Sequence, residues 1–368
     1  MRKVDLALLG FGNVGKAFAR LLLEKREELR QEHGIEPCVT GIATGSHGVA
    51  VDPDGIDLDG LVSLIDSPER LDLTSLSRQS AFLSEVSRDS QDSDLTSSAS
   101  EQSGNTFDFI SRVPADILVE TTPVNPQCGL PALDFLRAGA RRGLHLITAN
   151  KGPVVFGFRE LTELTRQQGR LFRFESAVMD GAPIFSLFRH SLAGAQLHGF
   201  YGILNSCTNL LLDRMRAGET LEQAIAYGAS IGITETDPSN DVDGWDAAIK
   251  VAALSNVLMG QSLTPKDVRP TGIRAITPQM IQDAQSQGKR WKLLCRAGWQ
   301  EDKFVTSVSP EMVGPDSPLY TVDGTSSFVS FELDVLPGLG VLESDPSPKT
   351  TAFGLLADLI DIVTTERG

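Results

Sequence analysis

Apolar residues in this chain fall mostly in short runs that stop at glycine, proline or a polar cluster. Val4–Leu9 is such a run, and a run of that length bounded by turn residues predicts a buried strand of a parallel sheet. Gly10-Phe11-Gly12-Asn13-Val14-Gly15 follows at once, and KAFARLLLEKREELRQEHG then spaces its apolar positions as a helix ending at Gly34. Pro37–Ala43 predicts the second strand. From 51 to 113 the pattern weakens: LDGLVSLI and the neighbourhood of Leu73–Leu83 predict short helices. Ser84–Asn105 is rich in serine and acids and poor in apolar residues, which predicts a mobile insertion.

Regular patterning returns with a strand at Ala115–Glu120, a helix around Gly129–Gly143, a strand over LHLIT and then Ala149-Asn150-Lys151-Gly152. A helix over RELTELTRQQG leads into the strand RLFRFESAV, which ends in the turn Met179-Asp180-Gly181-Ala182-Pro183. LHGFYGILNS predicts another strand, Cys207-Thr208-Asn209 opens a helix, and LEQAIAYGASIG is a further one. From Trp245, WDAAIKVAALSNVLM is rich in good helix formers. Beyond Gly260 the period shortens: DVRPTGI, KLLCRAGWQEDKFVTSVSPEMV and SSFVSFELDVLPGLGVLES alternate as antiparallel strands of a mixed sheet. Lys349–Val363 predicts a closing amphipathic helix. The fold class is therefore α/β: a Rossmann-type doubly wound parallel sheet plus an α+β substrate and dimerisation domain with a mixed sheet. We divide the chain into residues 1–155 for the first domain, with the insertion at about 84–105, 156–340 for the second, and 341–368 for a helix returning to the first.

The 368 residues suffice for two domains with a large core, and 41% of them are hydrophobic. A formal charge of -15, from 48 acids against 33 bases, argues against non-specific binding to nucleic acid or anionic membranes. The start of the chain reads as a strand rather than a signal peptide, and no apolar run is long enough to span a bilayer. Cys38, Cys128, Cys207 and Cys295 are scattered without metal-ligand spacing, which predicts free thiols in a reducing cytoplasm.

Two stretches carry candidate chemistry. A G-x-G-x-x-G between a strand and a helix brings backbone N–H groups and a helix N-terminus to a pyrophosphate, so Gly10, Phe11, Gly12, Asn13, Val14 and Gly15 are candidates for a dinucleotide. Strand ends beside that loop place Thr121 and Thr122 within reach of ribose or nicotinamide, and Asn150 and Lys151 at the next tip. The second strand ends in Thr44-Gly45-Ser46-His47 without the acid expected for an NAD ribose, which inclines the reading to NADP over NAD. The other stretch is GITETDPSNDVDGWDAAIK, Gly232–Lys250, with Glu235, Asp237, Asp241, Asp243, Asp246 and Lys250 close together. Asp246 and Lys250 are four apart on one helix face. A partly desolvated lysine titrates low enough to move a proton near neutral pH, whereas the plain alternative is an exposed ion pair. Cys207 could be a thiol nucleophile, but without a histidine nearby a small buried residue is the preferred reading.

Taken together the motifs resemble those of homoserine dehydrogenase, the aspartate-pathway enzyme of threonine and methionine biosynthesis. The match runs through GFGNVG at 10–15, TANKGPV at 148–154, FESAVMDGAPI at 174–184, GILNSCTN at 202–209, ETDPSNDVDGWDAAIK at 235–250 and TTAFGLLADL at 350–359. The resemblance implies NAD(P)-dependent interconversion of L-homoserine and L-aspartate 4-semialdehyde. It assigns Lys250 to the substrate oxygen as proton donor and acceptor, and Asp246 and Glu235 to the substrate amino group and the lysine. It puts Lys151 near substrate and nicotinamide, Thr208 at the substrate, and Gly232 at the cofactor. It also matches Glu175, Val178, Asp180 and Ala182 to a turn that holds a structural monovalent cation such as sodium, and it implies a homodimer. Departures stand at Ser206-Cys207, where the family usually has Gly-Thr, at Met179-Asp180, and at Glu343-Ser344-Asp345-Pro346-Ser347-Pro348 in place of a glycine-rich loop. Nothing resembling the regulatory ACT domain of many relatives follows the last helix, so weak or no threonine feedback is expected. Alternatives are a related dehydrogenase of another small amino-acid semialdehyde, and a non-catalytic dinucleotide sensor.

Overall fold

The computed structural model describes residues 1–45, 48–67, 73–76, 106–234 and 237–366. These form two compact units, one of Met1–Gly181 with Pro348–Gly368, the other of Ala182–Ser347. The predicted insertion at 84–105 lies outside the described residues.

In the first unit β1 (Arg2–Leu9) leads to α1 (Asn13–Glu24) and α2 (Arg26–Gln31), where the sequence predicts one continuous helix. The break is at Lys25, whose backbone leaves helical geometry (φ -98, ψ 6). Then come β2 (Ile35–Ala43), β3 (Val49–Val51), α3 (Leu58–Asp66), α4 (residues 106–112), β4 (Ile117–Glu120), α5 (Ala132–Arg142), β5 (His145–Thr148), α6 (Lys151–Gln167) and β6 (Phe172–Arg173). The sheet order is β3-β2-β1-β4-β5-β6, the doubly wound order with its switch point between β1 and β4. All pairings are parallel except β2 with β3. Asn150 caps α6 by accepting from Gly152 N at 3.0 Å, so the helix begins eight residues before the predicted stretch and Lys151 is its first residue. The strand predicted over Arg170–Val178 is cut to two residues, because the chain turns into a tight 3-10 turn at Glu175–Ala177.

The second unit has β7 (Leu197–Ile203), α7 (Ser206–Arg216), α8 (Leu221–Ser230), α9 (Trp245–Leu258), α10 (Pro278–Ser286), β8 (Arg290–Gln300), β9 (Lys303–Val313), β10 (Ser327–Leu333) and β11 (Leu339–Glu343). Its sheet, β11-β10-β7-β8-β9, is antiparallel at every pairing, so the mixed sheet expected here is an antiparallel one. The predicted strand DVRPTGI is instead a helical turn at Pro265–Val268 followed by loop, capped by Thr264 and Asp267. Helix α9 is buried nearly all round by Ala247, Ala248, Ile249, Val251, Ala252, Ala253 and Leu254, which explains its run of small residues. Beneath α7, the fully buried Lys292 gives its amine to Asn209 Oδ1 at 2.9 Å and Val322 O at 2.6 Å, with Asp213 Oδ1 at 3.3 Å.

The chain then re-enters the first unit with α11 (Pro348–Thr365). Ala352, Leu355, Leu356, Leu359, Ile362 and Val363 of α11 share one core with Leu6, Leu8, Phe18, Leu22 and Ile147. No helix among the described residues is long and apolar enough to cross a membrane.

Candidate active site

The glycine turn after β1 is built for close approach. Gly10 has φ +90, and a Cβ there would lie 2.7 Å from the carbonyl carbon and oxygen of Thr121. At Gly15 a Cβ would meet Gly10 O at 2.7 Å, whereas at Gly12, the N-cap of α1, it would meet nothing within 4 Å. The two outer glycines therefore close the turn onto the β4 tip, and the middle one faces open space with no side chain capping the helix. Phe11 is buried in the core with its ring against Gly15, and Val14 packs against the same core. Asn13 is the exposed first residue of α1.

At the tip of β4, Thr121 N donates to Leu9 O at 2.7 Å and Thr121 Oγ1 to Gly10 O at 3.0 Å. Thr122 gives both its backbone N–H (2.7 Å) and its hydroxyl to Oε1 of Glu120. Both threonine hydroxyls thus donate within the chain. Glu120 is fully buried, and burial pushes its carboxyl up against the opposing pull of hydrogen bonds from Thr122, Thr148 and Asn150. The resemblance passes over this residue. Its signal is a carboxylate ending an otherwise apolar strand beside the glycine turn.

In the second unit, Lys250 Nζ donates to Leu204 O at 2.7 Å and stands 3.2 Å from Asp246 Oδ2. Their side chains retain only 14% and 17% of their exposure, which sets the pair apart from an open surface bridge. Asn205 organises the surroundings. Its Oδ1 caps α7, accepting from Thr208 N at 2.7 Å and Thr208 Oγ1 at 2.8 Å. That fixes which end of the amide is which, so Nδ2 donates to Asp241 Oδ1 at 2.7 Å and Asp246 Oδ2 at 2.8 Å. One amide therefore aims two carboxylates. Neither Asn205 nor Asp241 is given a role by the sequence reading, although asparagine between a strand and a helix is an N-cap signal.

Thr208 is fully buried beneath this cluster. Gly232 is exposed, with φ +74 and open space at its Cβ. Glu235 lies outside the described residues. Cys207 is buried with Sγ 3.6 Å from Thr234 Oγ1, and burial beside Asp241 and Asp246 pushes its thiol up to about 12. Such a thiol is protonated at neutral pH, contrary to the demands on a nucleophile.

In the turn at 175–182, Glu175 N donates to the buried Asp358 at 2.8 Å, Asp180 (φ +42) accepts from Thr351 Oγ1 at 2.5 Å, and Ala182 O accepts from Ile184 N at 2.9 Å. Among the described residues no three His, Cys, Asp or Glu side chains gather as a metal site.

The first unit, a doubly wound sheet with a glycine turn at its switch point, is of the Rossmann type, and the second carries a lysine held among oriented carboxylates. The family model described as homoserine dehydrogenase matches residues 183–360. The chain is 33% identical to a homoserine dehydrogenase of Methanocaldococcus jannaschii, over 99% of this chain and 100% of that one. It is 32% identical to an NAD(+)-dependent homoserine dehydrogenase of Pseudomonas canavaninivorans, over 98% and 97%. Among solved structures, a candidate homoserine dehydrogenase from Archaeoglobus fulgidus superposes with a TM-score of 0.80 at 26% identity, covering 98% of this chain and 99% of that one. This chain belongs to the homoserine dehydrogenase family.

Proposed function

We propose that the protein interconverts L-homoserine and L-aspartate 4-semialdehyde with a nicotinamide dinucleotide, in threonine and methionine biosynthesis. The observation that carries this is the two-point anchorage of Lys250 by Leu204 O and Asp246 inside an oriented acidic cluster. An ammonium held at two points keeps its direction, and it matches an oxygen on which negative charge grows during reduction. Lys250 stabilises that charge and passes its proton to the oxygen; in the oxidising direction it takes the proton back. Asp246 and Asp241, aimed by the Asn205 amide, and Glu235 are the carboxylates for the substrate ammonium. Thr208 acts through Asn205, whose amide it fixes.

The glycine turn fits a dinucleotide, since Gly10 and Gly15 close it and Gly12 leaves space above the start of α1. Gly10, Phe11, Gly12, Asn13, Val14 and Gly15 would hold the pyrophosphate, with Thr121, Thr122, Lys151 and Gly232 nearer the ribose and nicotinamide. The bound nicotinamide supplies or accepts the hydride. The inclination to NADP rests on Thr44-Gly45-Ser46-His47, and it stands against the NAD(+)-dependent relative. We keep the monovalent-cation turn of Glu175, Val178, Asp180 and Ala182 as a structural site, although the Asp180 carboxylate already serves Thr351. A homodimer is expected, with Trp299, Met312 and Leu342 exposed on the second sheet as apolar surface for it. The setting is cytoplasmic, in keeping with four free cysteines.

Steady-state oxidation of homoserine with NAD and NADP in parallel tests the proposal, beside a panel of other small hydroxy-amino acids. Turnover of homoserine with either cofactor is the expected result. Turnover of another substrate with none of homoserine would transfer the assignment to a related dehydrogenase.

A further inference from the structure

We propose that Glu120 is a positioning residue for Lys151, closing a ring of hydrogen bonds that fixes the first turn of α6 at the head of the parallel sheet. This rests on the reading of Lys151 as a residue beside substrate and nicotinamide.

The ring can be followed atom by atom. Glu120 and Thr148 are register partners at the last positions of β4 and β5, and both are fully buried. Glu120 Oε1 accepts from Thr122 N at 2.7 Å and from the Thr122 hydroxyl, and Oε2 accepts from Thr148 Oγ1 at 2.5 Å. Thr148 Oγ1 in turn accepts from Asn150 N at 2.9 Å. Asn150 Nδ2 reaches back to Thr122 O at 3.2 Å, which closes the ring. The remaining atom, Asn150 Oδ1, accepts from Gly152 N at 3.0 Å and so caps α6, whose first residue is Lys151.

Donor counting shows why the residue must be a carboxylate. A threonine hydroxyl has one proton. A glutamine amide nitrogen in place of Oε2 can enter the second lone pair of Thr148 Oγ1, beside the Asn150 N–H, but the buried Thr148 hydroxyl proton then loses the acceptor it has in Glu120. At Oε1 an amide would face the Thr122 N–H, donor against donor. Either orientation of a glutamine leaves one buried donor without its acceptor, the Thr122 N–H in one and the Thr148 hydroxyl in the other. The lost link falls on Thr122 or on Thr148, and Thr148 Oγ1 holds the backbone N–H of Asn150, which sets where α6 begins.

The test uses Glu120→Gln and Thr148→Val, the second a milder cut that removes only the hydroxyl. Each is measured alone and combined with Lys151→Ala. We expect each single variant to lower kcat for homoserine by about tenfold or more, as small misplacements of a reacting group do. In the Lys151→Ala background neither should lower it further. Multiplicative effects, or wild-type kcat with only a lowered Tm, would overturn the proposal. Amide hydrogen exchange supplies a readout independent of turnover: Asn150 and Gly152 should exchange about tenfold faster or more in Glu120→Gln, while Ala252 in α9 is unchanged. If the wild type turns over no homoserine, the function assigned above fails. The exchange data then decide the ring alone, and unchanged rates at Asn150 and Gly152 sink it.

Discussion

Asn205 holds two carboxylates of the acidic cluster, and its removal has a calculable cost. Replacing it with alanine deletes the N-cap of α7, worth about 1 kcal/mol. It also deletes two hydrogen bonds to carboxylates, worth about 1.5–3 kcal/mol each. The sum is an upper bound, because Asp246 keeps 17% of its side-chain exposure and regains some water. About 4 kcal/mol of lost stability is the expected result in urea unfolding at pH 7. A fall of roughly a hundredfold in kcat/KM should accompany it, as Asp246 and then Lys250 lose direction. Asn205→Asp sharpens the test, since aspartate caps as well as asparagine. The introduced carboxyl would stand about 2.8 Å from Asp241 and Asp246, where an ionised pair repels by about 6 kcal/mol at an effective dielectric of 20. Holding a proton at pH 7 costs about 4 kcal/mol for a group whose ordinary pKa is about 3.9. Repulsion wins, so the folded variant holds one proton that its unfolded chain releases above about pH 4. Its deficit relative to wild type must then grow by about 1.4 kcal/mol per pH unit upward from there, and shrink as pH falls. A deficit that does not change between pH 5 and 7, or an alanine variant within about 1 kcal/mol of wild type, would refute the account of this cluster.

Three further outcomes follow from other sites. Lys250→Ala should cut turnover by about 10²–10⁴-fold while dinucleotide affinity stays near wild type, measured by fluorescence titration; loss of binding with intact turnover would contradict the assignment. Gly12→Ala should leave Tm unchanged, because its Cβ meets nothing within 4 Å, yet weaken dinucleotide binding by about tenfold or more where the pyrophosphate must approach. Unchanged affinity would remove the cradle from consideration. His145 is fully buried, and burial outweighs the neighbouring Glu366 to hold its imidazole below the ordinary range. Its Nδ1 accepts from Leu171 N at 3.1 Å, which leaves the proton on Nε2 facing Glu366. The unfolded chain therefore binds a proton first as pH drops through about 6.5, and stability falls with it. His145→Gln should flatten Tm against pH in that window, and an unaltered slope would exclude His145 as its source.

Strands β1, β2, β4 and β5 of the first sheet were legible as short apolar runs, and β1, the glycine turn and α1 follow one another at the expected spacing, whereas the three-residue β3 was too short to read. Helix α9 was legible from its alanines and its start after Gly244. Caps and breaks were harder. Lys25 interrupts a helix whose composition never falters, and Asn150 starts one eight residues early through a single side-chain bond. The parallel or antiparallel sense of the second sheet depends on pairing partners far apart in sequence, such as Tyr201 with Arg296 and Ser330, which local alternation does not encode. In the site, Asp246 and Lys250 were visible as an i,i+4 pair. Asn205 was not, because it acts across 36 and 41 residues of chain on Asp241 and Asp246. Glu120 was read as the end of its strand but given no role, because Thr148 and Asn150 come to it only when β4 pairs with β5.

The helix α11 has a consequence for how the molecule is made. Phe18 and Leu22 of the first unit share a core with Leu355, Leu359 and Ile362, residues that a ribosome adds long after them. At roughly 5–20 residues per second, all of Ala182–Ser347 must emerge in between, a wait on the order of ten to thirty seconds. Until then the newborn first unit carries an open greasy seam, so chaperone capture during translation should concentrate there and end only when α11 clears the exit tunnel.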